Sequence, residues 1–78
     1  MILKLKYFGM IAEAVGKENE MIDFSFNTVE ELEKVLKNQY SKLTLMNFKI
    51  AVNQSIVEPS VLLKENDEIA LLPPFAGG

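Results

Sequence analysis

The segment from Thr28 to Tyr40 constrains the fold of this 78-residue chain more than any other. Thr28 and Glu31 have the spacing of a capping box, in which each side chain accepts a hydrogen bond from the backbone N–H of the other residue. Glu30 and Glu31 also suit the positive end of a helix dipole. Apolar residues then recur with the α-helical period, at Val29, Leu32, Val35, Leu36 and Tyr40. This pattern predicts an amphipathic helix over residues 29–39 with its apolar face on the core.

Other segments alternate between apolar and polar residues, which is the period of a β-strand. Leu3, Leu5 and Tyr7 share one face of residues 1–8, and we expect that face to be buried. Strand character returns in four further segments, over residues 21–26, 49–53, 55–57 and 68–72. Residues 9–15 predict a short helix, because their apolar residues have helical spacing and a glycine follows. Together these patterns predict an α+β fold with one long helix.

The first and last strands are the most apolar, which favours central positions for both. We expect them to lie side by side and parallel in a mixed sheet, with the 29–39 helix packed across one face. Asn53-Gln54 predicts a turn between two strands, because asparagine tolerates a positive φ. The prediction is one α+β roll over residues 1–72, followed by a short tail over residues 73–78.

The composition excludes several classes of function. The chain has no cysteine and no histidine, so it lacks thiol nucleophiles and the usual metal ligands, and no metal site is predicted. A formal net charge of −3 argues against nucleic acid as a partner. No apolar run reaches the roughly 20 residues of a membrane span, and the first residues lack the layout of a secretory signal. We expect a cytosolic protein that binds no membrane and does not act as an enzyme alone.

The chain ends in six residues of unusual type, Pro73-Pro74-Phe75-Ala76-Gly77-Gly78. Two prolines fix φ and cannot donate ladder hydrogen bonds, so they end the last strand and favour a stiff, extended exit. Two terminal residues without side chains allow close backbone approach in a narrow site and leave a bare carboxylate at the end. The alternative interpretation of these six residues is an ordinary frayed terminus.

Several segments together resemble the small subunit of molybdopterin synthase, the MoaD-type sulfur carrier family. They occur in the family's order over nearly the whole length: the block Tyr7–Gly16, the helix start Thr28-Val29, the turn Ala51-Val52-Asn53-Gln54, the stretch Leu63–Ile69 and the Pro-Pro-x-x-Gly-Gly end. The chain departs from the family pattern at two positions. Ala12 stands where arginine is usual, which puts one interface charge pair in doubt, and Asn66 replaces a glycine at a turn that asparagine also tolerates.

The resemblance implies a β-grasp, ubiquitin-like fold and a role as a non-catalytic carrier of sulfur. Gly78 would be adenylated with ATP by a ubiquitin-activating-type adenylyltransferase, and a sulfur donor protein would convert it to a thiocarboxylate. The tail, Pro73 to Gly77, would then insert into the active site of the large subunit, where the sulfur passes to cyclic pyranopterin monophosphate. No cofactor would stay bound to the chain, and two small and two large subunits would form a heterotetramer.

The resemblance also points to Phe8, Ile56 and Leu72 as residues that face the large subunit. The alternative for these side chains is a small second core. Phe75 is expected to anchor in a groove of the partner, and the alternative is that it folds back on its own domain. Three other functions stay open: a ubiquitin-like modifier joined through Gly78 to lysines, a sulfur carrier for thiamine or tRNA thiolation, and an adaptor domain.

Overall fold

The computed structural model describes residues 1–25 and 27–73. Its elements in chain order are β1 (Ile2–Tyr7), α1 (Gly9–Val15), β2 (Asn19–Asp23), α2 (Val29–Gln39), a short 3₁₀ helix (Ser41–Leu45), β3 (Lys49–Val52), β4 (Ser55–Ile56) and β5 (Glu68–Leu72). Within the described ranges, no helix has the length and apolar character that a membrane crossing would need.

The five strands form one mixed sheet in the order β2-β1-β5-β3-β4. β1 and β5 pair in parallel at the centre, and the other neighbouring strands pair antiparallel. The predicted β-grasp roll and its central parallel pair are therefore confirmed. The two most apolar strands occupy the centre, where each has a paired strand on both sides and buries alternate side chains in the core.

The core lies between one face of the sheet and the helices. Leu3 and Leu5 on β1 and Leu71 on β5 are almost fully buried, and they pack in the same cluster as Leu32 and Leu36 of α2. The predicted inward face of β1 is confirmed, as is the helix over residues 29–39.

Three details of the sequence prediction were wrong or incomplete. The second strand spans Asn19–Asp23, whereas residues 21–26 were predicted. Its bounds are set by pairing with β1, in which Asn19 lies opposite Lys6 and Asp23 lies opposite Ile2. Val35 has the helical spacing of the apolar face, yet it is 40% exposed. No element was predicted between α2 and β3, and the 3₁₀ helix Ser41–Leu45 lies there.

The turns agree with the sequence. Asn53 and Gln54 both have positive φ, as does Asn66 at the position where glycine is usual in the similar family. The Asn53 side chain donates to the carboxylate of buried Asp67 at 2.9 Å and accepts from the backbone N–H of Glu68 at 3.0 Å. This pair of hydrogen bonds fixes the β3–β4 hairpin to the start of β5.

The capping box of α2 gives a first testable prediction. The Thr28 hydroxyl accepts from the Glu31 backbone N–H at 3.3 Å, and the Glu31 carboxylate accepts from the Thr28 backbone N–H at 3.1 Å. Thr28→Ala should lower the free energy of unfolding by about 1 kcal/mol, because an N–H of the first turn loses its partner. Urea denaturation measures the loss. Thr28→Ser keeps the hydroxyl and should retain most of the stability; an equal loss in both variants would contradict the capping role.

Candidate functional site

The face of the sheet that α2 does not cover carries all three predicted partner-facing residues. Tyr7, the last residue of β1, pairs with Leu71 on β5. The residues that follow them, Phe8 and Leu72, therefore lie side by side on the opposite face. Ile56 reaches the same face from β4, across the sheet. The structure thus brings together residues that are far apart in the sequence.

These residues line an open groove of about 410 Å³. Ala51 and Ala70 are neighbours on β3 and β5, and their small side chains leave room between the larger groups. We call this the first groove. Its complete lining is Lys6, Phe8, Ala51, Gln54, Ile56, Glu68, Ala70 and Leu72. Phe8 is 44% exposed and Ile56 is 57% exposed, so they do not fill a second core.

The junction of β1 and α1 fixes the position of Phe8. Phe8 is the N-terminal cap residue of α1 in an extended conformation, and its carbonyl oxygen accepts from the Ile11 backbone N–H at 3.1 Å. Gly9 follows with φ of +56°, a conformation that side-chain-bearing residues rarely adopt. The glycine therefore lets the chain turn sharply from strand to helix directly after Phe8.

The end of β5 lies beside the same junction. A Cβ added to Gly9 would lie 3.5 Å from Cγ of Pro73, which is half-buried, so the first tail residue packs next to Gly9. The chain consequently leaves the sheet at the Phe8 end of the first groove. The predicted insertion residues Pro74, Phe75, Ala76 and Gly77, and the predicted reacting residue Gly78, lie outside the described residues, so their roles stay predictions.

A polar cluster on the covered face holds the same end of β1. The half-buried Glu20 carboxylate accepts from the Tyr7 hydroxyl at 2.5 Å and from the Tyr40 hydroxyl at 2.7 Å, and Lys17 lies 3.5 Å from its other oxygen. Burial acts to raise the pKa of the Glu20 carboxyl, but the two tyrosine hydroxyls and Lys17 outweigh it and lower that pKa below its ordinary value. Burial and the bond to Glu20 raise the pKa of Tyr7. The cluster connects β1, β2 and the end of α2.

The lowered pKa of Glu20 predicts a pH-dependent contribution to stability. Between the lowered folded-state pKa and the ordinary pKa of 4.5, the unfolded state binds more protons than the folded state. The contribution of Glu20 to the free energy of unfolding is therefore complete above pH 4.5 and is lost as the pH falls through the folded-state pKa. Glu20→Gln should remove it. Thermal denaturation of both proteins between about pH 7 and 2.5 checks this, and a gap in melting temperature that does not narrow in acid would contradict it.

Sequence reasoning missed the remaining residues of the first groove. Lys6 and Glu68 form an exposed ion pair at 3.3 Å across β1 and β5, and Ala51 and Ala70 leave the space between the larger side chains. Strand alternation places each on the correct face of its own strand, but only the register makes them neighbours. Among the described residues, no group of three or more histidine, cysteine or acidic side chains could hold a metal ion.

A family model and a curated relative both match nearly the whole chain. The model of the ThiS family matches residues 5–78. The molybdopterin synthase sulfur carrier subunit of Caenorhabditis elegans is 35% identical over 81 residues, which cover 97% of this chain and 96% of the relative.

Two solved structures are also similar. One is in the complex of subunits 1 and 2 of the molybdopterin-converting factor from Helicobacter pylori, with a TM-score of 0.70, 31% identity and complete coverage of both chains. The other is small archaeal modifier protein 1 from Methanosarcina acetivorans, with a TM-score of 0.84, 26% identity, and coverage of 99% of this chain and 96% of that chain.

Proposed function

The chain belongs to the ThiS family, and on that premise we propose that it is the sulfur carrier subunit of a molybdopterin synthase. The observation that carries the proposal is the position of the tail exit: Pro73 leaves the sheet beside Phe8, at one end of an exposed apolar groove. A partner that binds this groove is thereby aligned with the start of the tail. The full-length similarity to a sulfur carrier subunit supports the same role.

The chemistry takes place at the terminal carboxylate. A carboxylate is an anion at neutral pH and a poor electrophile, with an ordinary pKa of about 3.5. An adenylyltransferase of the ubiquitin-activating type joins the Gly78 carboxylate to the α-phosphate of ATP and releases pyrophosphate. A sulfide equivalent from a donor protein then displaces AMP and leaves a thiocarboxylate. The sequence has no cysteine that could carry the sulfur instead.

The domain itself supplies recognition and not catalysis. The first groove binds the large subunit, and the tail carries the sulfur into that subunit's active site, where cyclic pyranopterin monophosphate accepts it. The solved complex of subunits 1 and 2 from Helicobacter pylori supports such a pairing. Pro73 and Pro74 limit the conformations of the free tail and so reduce the entropy cost of its insertion. The cytosol is the proposed location.

A second candidate is a protein modifier that is joined through Gly78 to lysines of other proteins. The similarity to small archaeal modifier protein 1 favours it, because that protein has nearly the same backbone over nearly the same length. Both functions require adenylation of the terminal carboxylate, so they differ only in the nucleophile that displaces AMP.

Intact mass spectrometry of the untagged chain, purified from the cells that produce it, tests the proposed function. A sulfur-for-oxygen exchange at the C-terminus is expected for the carrier. Linkage of Gly78 to lysines of other proteins, without any thiocarboxylate, would support the modifier and overturn the carrier.

A further inference from the structure

A second groove adjoins the first one on the same face of the sheet. It has a volume of about 370 Å³ and is lined mainly by Lys4, Lys6, Asn19, Met21 and Glu68, together with parts of Leu5 and Glu20. Lys6 and Glu68 line both grooves, and their ion pair at 3.3 Å forms the ridge between them. No sequence pattern assigned this second groove a role.

The first groove is too small to be a complete docking surface. A stable protein–protein interface buries about 800 Å² on each partner and involves roughly 20–30 residues a side. Eight residues line the first groove, and the tail that is proposed to insert, residues 73–78, adds six. The interface must therefore extend beyond them, and the neighbouring surface with exposed apolar area is its natural continuation.

Met21 marks the direction of that extension. Among the described residues, three large apolar side chains are strongly exposed on strands or strand ends of this face: Phe8, Ile56 and Met21. The first two line the first groove, and Met21, which is 67% exposed, pairs in register with Lys4 across β1 and β2. Methionine is flexible and polarizable, so it adapts to an irregular partner surface.

The charges beside Met21 indicate the chemistry of the partner. Lys6 forms an exposed ion pair with Glu68, which is also the register partner of Lys4 on β5, while Lys4 is exposed and has no ion pair of its own among the described residues. Asp23, at the end of β2, is occupied by the N-terminal ammonium group at 3.1 Å. With two lysines and one carboxylate, this part of the face carries an excess of one positive charge beside an apolar side chain, although the whole chain has a net charge of −3.

We propose that the second groove belongs to the docking surface for the large subunit, which contacts Met21 with an apolar side chain and faces Lys4 with a carboxylate. This inference rests on the proposed function and extends it by two residues and by the chemistry of the partner surface. Met21 contributes to the lifetime of the complex through buried apolar area. Lys4 contributes mainly to the rate of association, because a charge at the rim of an interface steers the encounter.

Binding of the full chain to the isolated large subunit, measured by surface plasmon resonance, tests the inference. Met21→Asp should weaken the complex about tenfold, mainly through faster dissociation. Leu62→Asp is the matched control, because Leu62 is 65% exposed and pairs with Thr28 away from both grooves. It should bind like the unmodified chain. Circular dichroism checks that both variants fold.

Charge reversal tests the second part. Lys4→Glu should slow association roughly threefold at low salt, with a smaller effect at high salt. Lys42→Glu, in the 3₁₀ helix, is the control and should not slow it.

The outcomes separate the two proposals. If Met21→Asp binds like the unmodified chain, or if Leu62→Asp weakens binding as much as Met21→Asp does, the second groove is not part of the docking surface. Either result leaves the proposed carrier role intact. Unaltered association of Lys4→Glu would overturn the acidic character of the partner surface. If the unmodified chain does not bind the large subunit, the proposed function itself fails.

Discussion

A chain with one residue added after Gly78 is expected to fold normally and to lose sulfur loading completely. Under the proposed function, the addition would move the carboxylate away from the position to which the two glycines are expected to deliver it, and a side chain at the new end would enter a site that is expected to accept bare backbone. The expected loss is total, because without the adenylate there is no electrophile for the sulfur donor. Incubation with the adenylyltransferase, ATP and the donor protein, followed by intact mass spectrometry, measures the loading.

The control for this prediction uses the same molecule. Treatment of the extended chain with a protease that cleaves after Gly78 should restore loading to the level of the unmodified chain, since it regenerates the original carboxylate. If the extended chain supports molybdopterin synthesis in cells without being shortened, the terminal carboxylate is not the site of sulfur transfer.

Phe8→Asp is expected to weaken binding of the large subunit roughly a hundredfold, which corresponds to about 2.7 kcal/mol. Phe8 is the largest apolar side chain of the first groove, and it lies beside Leu72 where the chain leaves the sheet. Aspartate would place a charge where the complex excludes water. The substitution should not unfold the domain, because Phe8 is the N-terminal cap of α1 and aspartate is favoured at that position.

Val35→Asp is the matched control for Phe8→Asp. Val35 is 40% exposed, close to the 44% of Phe8, but it lies on α2, away from the grooves. Isothermal titration calorimetry should give unchanged affinity for this variant. Equal affinity of Phe8→Asp and the unmodified chain would remove Phe8 from the interface, and a comparable loss for Val35→Asp would point to a nonspecific effect of added charge.

Several local features were predictable because neighbours along the chain determine them. The capping box and helical period of residues 28–40 define α2. The alternation of Leu3, Leu5 and Tyr7 defines the buried face of β1, whose burial the structure confirms. The asparagines at 53 and 66 were predictable turn residues, because asparagine accepts positive φ.

The boundaries of β2 were not predictable in the same way. Asn19 and Glu20 are polar and resemble a turn in sequence, yet both pair with β1. The half-buried Glu20 is accommodated on the covered face of the sheet because Tyr7 and Tyr40 both donate hydrogen bonds to it. Those partners come from β1 and from the residue that ends α2, so no local pattern reveals them.

The sequence by itself therefore determined the α+β roll, the inward face of its first strand and the candidate reacting group, the carboxylate of Gly78. These follow from periodicity and from the chemical groups that the chain contains. Only the tertiary structure decided that Phe8, Ile56 and Leu72 line one groove, that Met21 and Lys4 continue it, and that Pro73 leaves beside it. The physical reason is that strand register, and not distance along the chain, selects which side chains become neighbours on a sheet.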